Sequence, residues 1–205
     1  MPRQARENTL ASFALALAAG ADGIELDVHA TADGIVVVHH DAEIDGGVPI
    51  GALCHADLRE RRSGGEHIPT LRDVCALVKG RAELFVEIKG DGIEHLVAAA
   101  LEAYSGAVAI HSFDLALIRR LAASGSHFRR GLLIEAHASD ARALMERAGA
   151  LDLWPHHPLV TRTLVDEIHE LGGRVIPWTV NEAPDVARVT AARVDGICTD
   201  DVTSL

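Results

Sequence analysis

The chain has 205 residues, 48% of them hydrophobic and only 3% aromatic, which suits one globular domain with a sizeable apolar core and excludes a disordered chain. A net charge of -11 argues against nucleic acid or an anionic membrane as the main partner, since both select a basic face; an anionic ligand must be held by a few local cations. Cys54, Cys75 and Cys198 are odd in number and lack metal-ligand spacing, which predicts reduced, buried thiols and fits the cytosol. MPRQARENTL has no signal-peptide core, and no apolar run is long enough to span a bilayer.

The first predicted element is a helix over NTLASFALALAA, with Leu10, Phe13, Ala14 and Leu17 on one face. It leads into GIELDVHATADGIVVVHHD, residues 23–41, where two acids sit among apolar residues before a turn, a valine run and a pair of histidines. Strands this close in sequence cannot be parallel neighbours, because a parallel crossover needs about a dozen residues, so the segment reads as a hairpin. A two-residue turn at Asp33 and Gly34 sets Asp27 opposite His40, and a four-residue loop sets Glu25 there instead. Either register gathers Glu25, Asp27 and His40 on one face and turns His39 away; only an odd-length loop or a bulge breaks the pattern.

Residues 41–69, with GG, SGG and scattered charges, read as a loop insertion. Thr70 and Asp73 have capping-box spacing for a helix that closes at Gly80, and Asp91 with Glu94 opens the next, which ends before Gly106. From there ELFVEIK, VAIHSF, RRGLLIE, LDLWPHH, RVIPWTV and DGICTD alternate with helical segments at a spacing of roughly 22 residues, the period of a βα unit. Asp114, Ser139, Thr161 and Asn181 are the expected caps of the later helices. Together with GIELDV and its helix, this makes seven parallel strands and seven helices. A (β/α)8 TIM barrel has eight of each, so the sequence predicts such a barrel lacking its first strand, with a hairpin and loop insertion on the C-terminal rim, where active sites of these barrels lie. An open doubly wound sheet would show a glycine-rich loop after its first strand, and there is none. Residues 1–205 then form a single, N-terminally incomplete domain.

Alternation places Glu87 and Lys89 on one face near the end of LFVEIK, at the level where Glu25 and Asp27 end the preceding strand. Three carboxylates meeting there repel one another unless a cation neutralises them, and an all-oxygen set suits Mg²⁺ or Ca²⁺. A salt-bridged polar plug without an ion is the alternative. The lysine beside them points to an anionic ligand, phosphate above all. Ser112 lacks the glycine-flanked turn of a nucleophile elbow. His156 and His157 read as solvated or hydrogen-bonded histidines, and His111 is left between the mouth and a helix.

The run ENTLASFALALAAGADGIELDVHATADGIVVVHHD, followed in order by IPTL, VEIK, SFD, WTVN and DGICTDD, resembles the glycerophosphodiester phosphodiesterases over nearly the whole chain. The resemblance implies metal-dependent hydrolysis of a small-molecule glycerophosphodiester to an alcohol and sn-glycerol 3-phosphate. It implies that Glu25, Asp27 and Glu87 ligate one divalent metal, that His40 is a general acid or base, that Lys89 contacts the phosphate and that Trp178 lines the substrate pocket. The sequence departs from the family pattern before ENT, where a strand ending in His-Arg-Gly is expected and Arg6 replaces a proline, and after HHD, where IDGGVP replaces RTT. Arg3 and Arg6 read as surface residues rather than substitutes for the missing pair. The alternative function is therefore a catalytically impaired barrel that binds metal or phosphodiester without turnover; a sugar-isomerase barrel is disfavoured by Lys89.

Overall fold

Thr9 leaves an extended stretch and accepts a hydrogen bond from Ser12 N through its hydroxyl, opening α1 (Leu10–Ala18). The computed structural model describes residues 1–136 and 140–205, so Ser139, expected as a cap, lies outside the described residues. Two compact units divide the chain, Met1–Val108 and Ala109–Leu205.

In the first unit α1 is followed by β1 (Gly23–Ala30), β2 (Val36–Val38), a short ribbon of β3 (Glu43–Ile44) and β4 (Val48–Pro49), then α2 (His55–Arg59), α3 (Leu71–Val78), β5 (Glu83–Ile88) and α4 (Glu94–Leu101). β1 pairs antiparallel with β2 and parallel with β5, with Asp27 directly beside Glu87. Leu26, Val28, Leu84 and Val86 are fully buried, as expected for strands covered on both faces. Gly23 lacks a Cβ for a reason: one would stand 2.5 Å from the Phe85 ring. The Thr70–Asp73 capping box forms as predicted. α4 begins differently, with Ile93 at its N-cap and no side-chain bond there, so Asp91 is not its cap.

The hairpin takes the odd-length case. Val28 pairs with Val38 and Ala30 with Val36, leaving a five-residue loop over 31–35. Thr31 sets that length: its hydroxyl donates to Asp33 Oδ1 (2.6 Å), and its Oγ1 accepts from Ile35 N (3.0 Å). His39, not His40, therefore stands across from Asp27, with its N–H bonded to the Asp27 carbonyl (3.0 Å). The insertion that follows has a small core of its own, in which Ile44, Ile50 and Leu58 are buried against Val37 of β2.

The second unit contains most of β6 (Val108–Ser112), then α5 (Leu115–Ala123), β7 (Arg129–Ile134), α6 (Ala141–Ala148), β8 (Asp152–Pro155), α7 (Arg162–Glu170), β9 (Arg174–Val175) and α8 (Ala183–Ala191). β6 to β9 pair in chain order, all parallel. Asp114 and Thr161 cap α5 and α7 as expected, whereas α8 starts at Glu182 with no side-chain cap, so Asn181 does not cap it. Residues 195–200, expected as a last strand, exchange backbone bonds with 175–180 but form no strand run. At the starts of three strands, Asp152 is fully buried between Arg129 (2.6 Å) and Arg174 (2.7 Å). The cysteines correct a further expectation: Cys54 is exposed, Cys75 and Cys198 are half-buried, and none is in a disulfide. Partial burial still pushes the Cys75 thiol up to about 11. Among the described residues, no helix is long and apolar enough to cross a membrane.

Candidate active site

The parallel register of β1 and β5 brings Asp27 and Glu87 side by side, both buried, with Lys89 just beyond the end of β5. The Lys89 ammonium lies 3.3 Å from Asp27 Oδ1 and 3.3 Å from Glu87 Oε1. It also lies 3.3 Å from His40 Nε2. An ammonium has three N–H donors and no lone pair, so these three acceptors use it fully. Burial alone would lower the Lys89 pKa; the Asp27 and Glu87 charges outweigh burial and leave it raised.

Glu25 is two residues before Asp27 on the same strand face, and carboxylate oxygens of Glu25 and Glu87 lie within 4.8 Å of each other. Its carboxyl is held well above the usual carboxylate range, first by burial and then by the Asp27 charge, with Lys89 and His40 opposing. Three carboxylates and one ammonium leave an excess of negative charge, and one of the acids already resists ionisation. This all-oxygen donor set fits a hard divalent cation.

His40 joins the group by a route the hairpin spacing did not predict. The ladder stops at His39 and the chain bends, so His40 reaches Lys89 although Leu26, not Asp27 or Glu25, is opposite it in register. Because Lys89 can only donate, Nε2 accepts, and Nδ1–H donates to Asp41 Oδ1 (2.9 Å). That bond to Asp41 is the main reason the His40 pKa is raised; burial and Lys89 pull it down. The ring remains about half exposed (52%), open to a substrate. His29, which the sequence reading passed over, helps to place it by bonding through Nε2 to the His40 carbonyl (3.2 Å).

His39, although across from Asp27 in this register, directs its ring into the insertion. Its Nδ1 bonds to the Asp41 carbonyl (2.8 Å) and its Nε2 to Ser63 Oγ (2.8 Å), which also accepts from Arg6 Nη2 (2.9 Å). Arg6 is thus exposed yet pinned to the insertion. These residues line a cavity of about 410 Å³ with Asp41, Ile44 and Asp45.

In the second unit Trp178 is half-buried, donates its indole N–H to the Trp154 carbonyl (2.9 Å) and meets the Phe113 ring edge-on. His111 is buried and stacked on Trp154 at 4.4 Å, a contact allowed by Gly131, where any Cβ would come within 3.0 Å of the indole. His156 packs on Trp178, and His157 bonds with Arg188 (2.9 Å) near Asp185.

Parallel βα repeats carry a carboxylate cluster beside a lysine and an imidazole, a set of side chains suited to a divalent cation and an anionic ligand. The family model of the glycerophosphoryl diester phosphodiesterases matches residues 1–204. A glycerophosphodiester phosphodiesterase of Caldanaerobacter subterraneus subsp. tengcongensis is 33% identical, over 97% of this chain and 90% of the relative. The structure of an Oleispira antarctica phosphodiesterase in complex with the product sn-glycerol-3-phosphate matches with a TM-score of 0.87 and 25% identity, over 97% of this chain and 89% of that one. A glycerophosphodiester phosphodiesterase from Thermotoga maritima matches with a TM-score of 0.83 and 26% identity, over 97% and 90%. The chain belongs to the glycerophosphoryl diester phosphodiesterase family, a metal-dependent family of phosphodiester hydrolases, and has its TIM-barrel-like α/β fold.

Proposed function

We propose that this chain hydrolyses glycerophosphodiesters to an alcohol and sn-glycerol 3-phosphate, using one divalent cation, Mg²⁺ or Ca²⁺, held by Glu25, Asp27 and Glu87. The observation that carries this reading is the sharing of one ammonium among Asp27, Glu87 and His40. When bound, the cation supplies Lewis-acid polarisation of the phosphoryl group. With the carboxylates so engaged, the Lys89 N–H groups are available to a phosphoryl oxygen and neutralise charge as it builds there. His40 moves a proton at Nε2: it acts as a base in the Nδ1–H form described above and as an acid once Nε2 is protonated, with Asp41 favouring the protonated state. Trp178, whose N–H is spent on Trp154, offers its ring face as a wall for substrate. In this reading residues 1–205 act as one catalytic domain, and three cysteines without a disulfide fit a reducing cytosol.

Release of glycerol 3-phosphate from glycerophosphocholine tests the proposal. Turnover should require Mg²⁺ or Ca²⁺, vanish with chelator and fall by at least about 10²-fold in His40→Ala, the low end of general acid–base contributions. Turnover that survives both chelation and His40→Ala would refute the reading.

A further inference from the structure

Asn8 is one of three described non-glycine residues with positive φ, at 56°. The other two, Lys79 and Arg193, are at helix C-terminal ends, where a left-handed residue commonly closes the last turn. Asn8 instead precedes the Thr9 cap of α1, and helix capping does not require that conformation. Its consequence is a two-point clasp on one residue of β1. Asn8 Oδ1 accepts from Asp27 N (3.1 Å), and Asn8 Nδ2 donates to Asp27 Oδ2 (2.8 Å).

The same clasp occurs once more, with the same separation of 19 residues. Asn181 Oδ1 accepts from Asp200 N (2.9 Å), and its Nδ2 donates to Asp200 Oδ2 (2.7 Å). Each asparagine stands just before a helix, and each aspartate closes a matching run after it, DGIELD at 22–27 and DGICTD at 195–200. The device ties the entry of a helix to the DGI-x-x-D run that follows it. The two copies differ in where a further contact falls. Asp27 Oδ1 faces Lys89 in the carboxylate cluster, and at the second copy the added contact is on the asparagine, whose Oδ1 also accepts from the Thr199 hydroxyl (3.1 Å).

We infer that Asn8 is a positioning residue for metal binding, fixing the Asp27 carboxylate so that Oδ2 is held by the amide and Oδ1 is presented to the cation. This rests on the reading of Asp27 as a ligand. A neutral carboxamide suits the task because it orients the carboxylate without cancelling its charge, as an arginine or lysine in that place would. Partners that orient metal ligands are typically worth about 10- to 100-fold in metal affinity.

Calorimetric titration with Mg²⁺ of four variants tests the assignment. Asn8→Gly keeps the left-handed backbone accessible and removes the clasp, and it should weaken Mg²⁺ about 10- to 100-fold. Asn8→Ala should weaken it at least as much. Asn181→Gly should lower the melting temperature and leave affinity within about twofold, a change below what a lost outer-sphere partner produces. Asp27→Asn tests the underlying ligand assignment and should lose most of the binding. If Asp27→Asn binds poorly but Asn8→Gly binds normally, the positioning role is overturned and the ligand reading stands. If Asp27→Asn binds normally, both fall. Equal weakening by Asn8→Gly and Asn181→Gly would reduce the effect to general destabilisation and overturn the role. Should Asn8→Gly not fold, the wild-type carboxamide protons decide: during Mg²⁺ titration those of Asn8 should shift in ¹⁵N NMR spectra. Unmoved Asn8 signals at saturation would overturn the inference.

Discussion

Asp27 and Asp152 are both buried carboxylates that face cations, and the ratio of charges separates their roles. At Asp152 one carboxylate meets two guanidiniums, at the first residues of β7, β8 and β9. At Asp27 the ratio is reversed, with Glu25, Asp27 and Glu87 around the single Lys89 ammonium at strand ends. A carboxylate with surplus donors is satisfied within the protein and acts as a structural tie. A cluster with surplus carboxylates favours a further cation. Burial and ion pairing alone do not distinguish the two; counting charges does.

The largest expected effect lies at the satisfied site. Asp152→Ala leaves two guanidiniums facing an empty space and should cost about 3–5 kcal/mol, the range for removing one partner of a buried pair. Denaturant unfolding should show the loss while Mg²⁺ affinity stays unchanged, and a small stability loss would mean that solvent already screens the arginines. Next comes the carboxylate-rich site, where Glu87→Ala should weaken Mg²⁺ by about 100-fold, or about 2.7 kcal/mol. The metal-free variant should melt close to the wild type, since losing one of three mutually repelling acids offsets the lost contact with Lys89; calorimetry and thermal unfolding together check this.

A smaller effect, in pH dependence, sharpens the contrast. Glu25 binds its proton more tightly in the folded chain than in the unfolded one, because its folded pKa is raised. The folded state therefore holds more protons, and metal-free stability should fall as pH rises from the ordinary carboxylate value through the raised one. Saturating Mg²⁺ should reverse the trend, since metal binding requires the deprotonated acid and strengthens with pH. Melting temperatures across that window, with and without Mg²⁺, read both slopes; parallel slopes would remove Glu25 from the site. The smallest effect calibrates the scale. Arg162 and Asp166 pair at 2.8 Å on the exposed face of α7, where solvent screens the charges, and Arg162→Ala should shift the melting temperature less than any other change named here.

The sequence made the site legible where one period governs. Alternation along GIELDV and LFVEIK was enough to put Glu25 and Asp27 on one face of their strand and Glu87 and Lys89 on one face of theirs, and the parallel ladder sets Asp27 beside Glu87 with Glu25 two residues earlier. His40 was legible in position but not in cause. Its predicted register depended on an even loop, and side-chain bonds from Thr31 selected five residues instead. Asn8 went unnoticed because an asparagine before a threonine cap reads as ordinary helix entry. The signal that could have found it is the repeated DGI-x-x-D run with an asparagine 19 residues before each final aspartate. The burial of the cysteines was misjudged because a thiol's apolar character says nothing about which helix face it occupies, and Cys54 falls in the insertion, where few side chains are covered.

That insertion has a consequence for how such an enzyme can diversify. Its small core of Ile44, Ile50 and Leu58 is seated on Val37, and β2 is tied at its far edge to Pro69 and Thr70 by backbone bonds. Beyond that core, Asp41 bonds His40 (2.9 Å) and Ser63 bonds His39 (2.8 Å) and Arg6 (2.9 Å), while the β1–β5 ladder that carries the acids is made by backbone bonds outside the insertion. Outside those residues, loop length and composition can drift with the energetic cost falling mainly on the small apolar core. A change confined to this module leaves the pairing of Asp27 with Glu87 on β1 and β5 as it is.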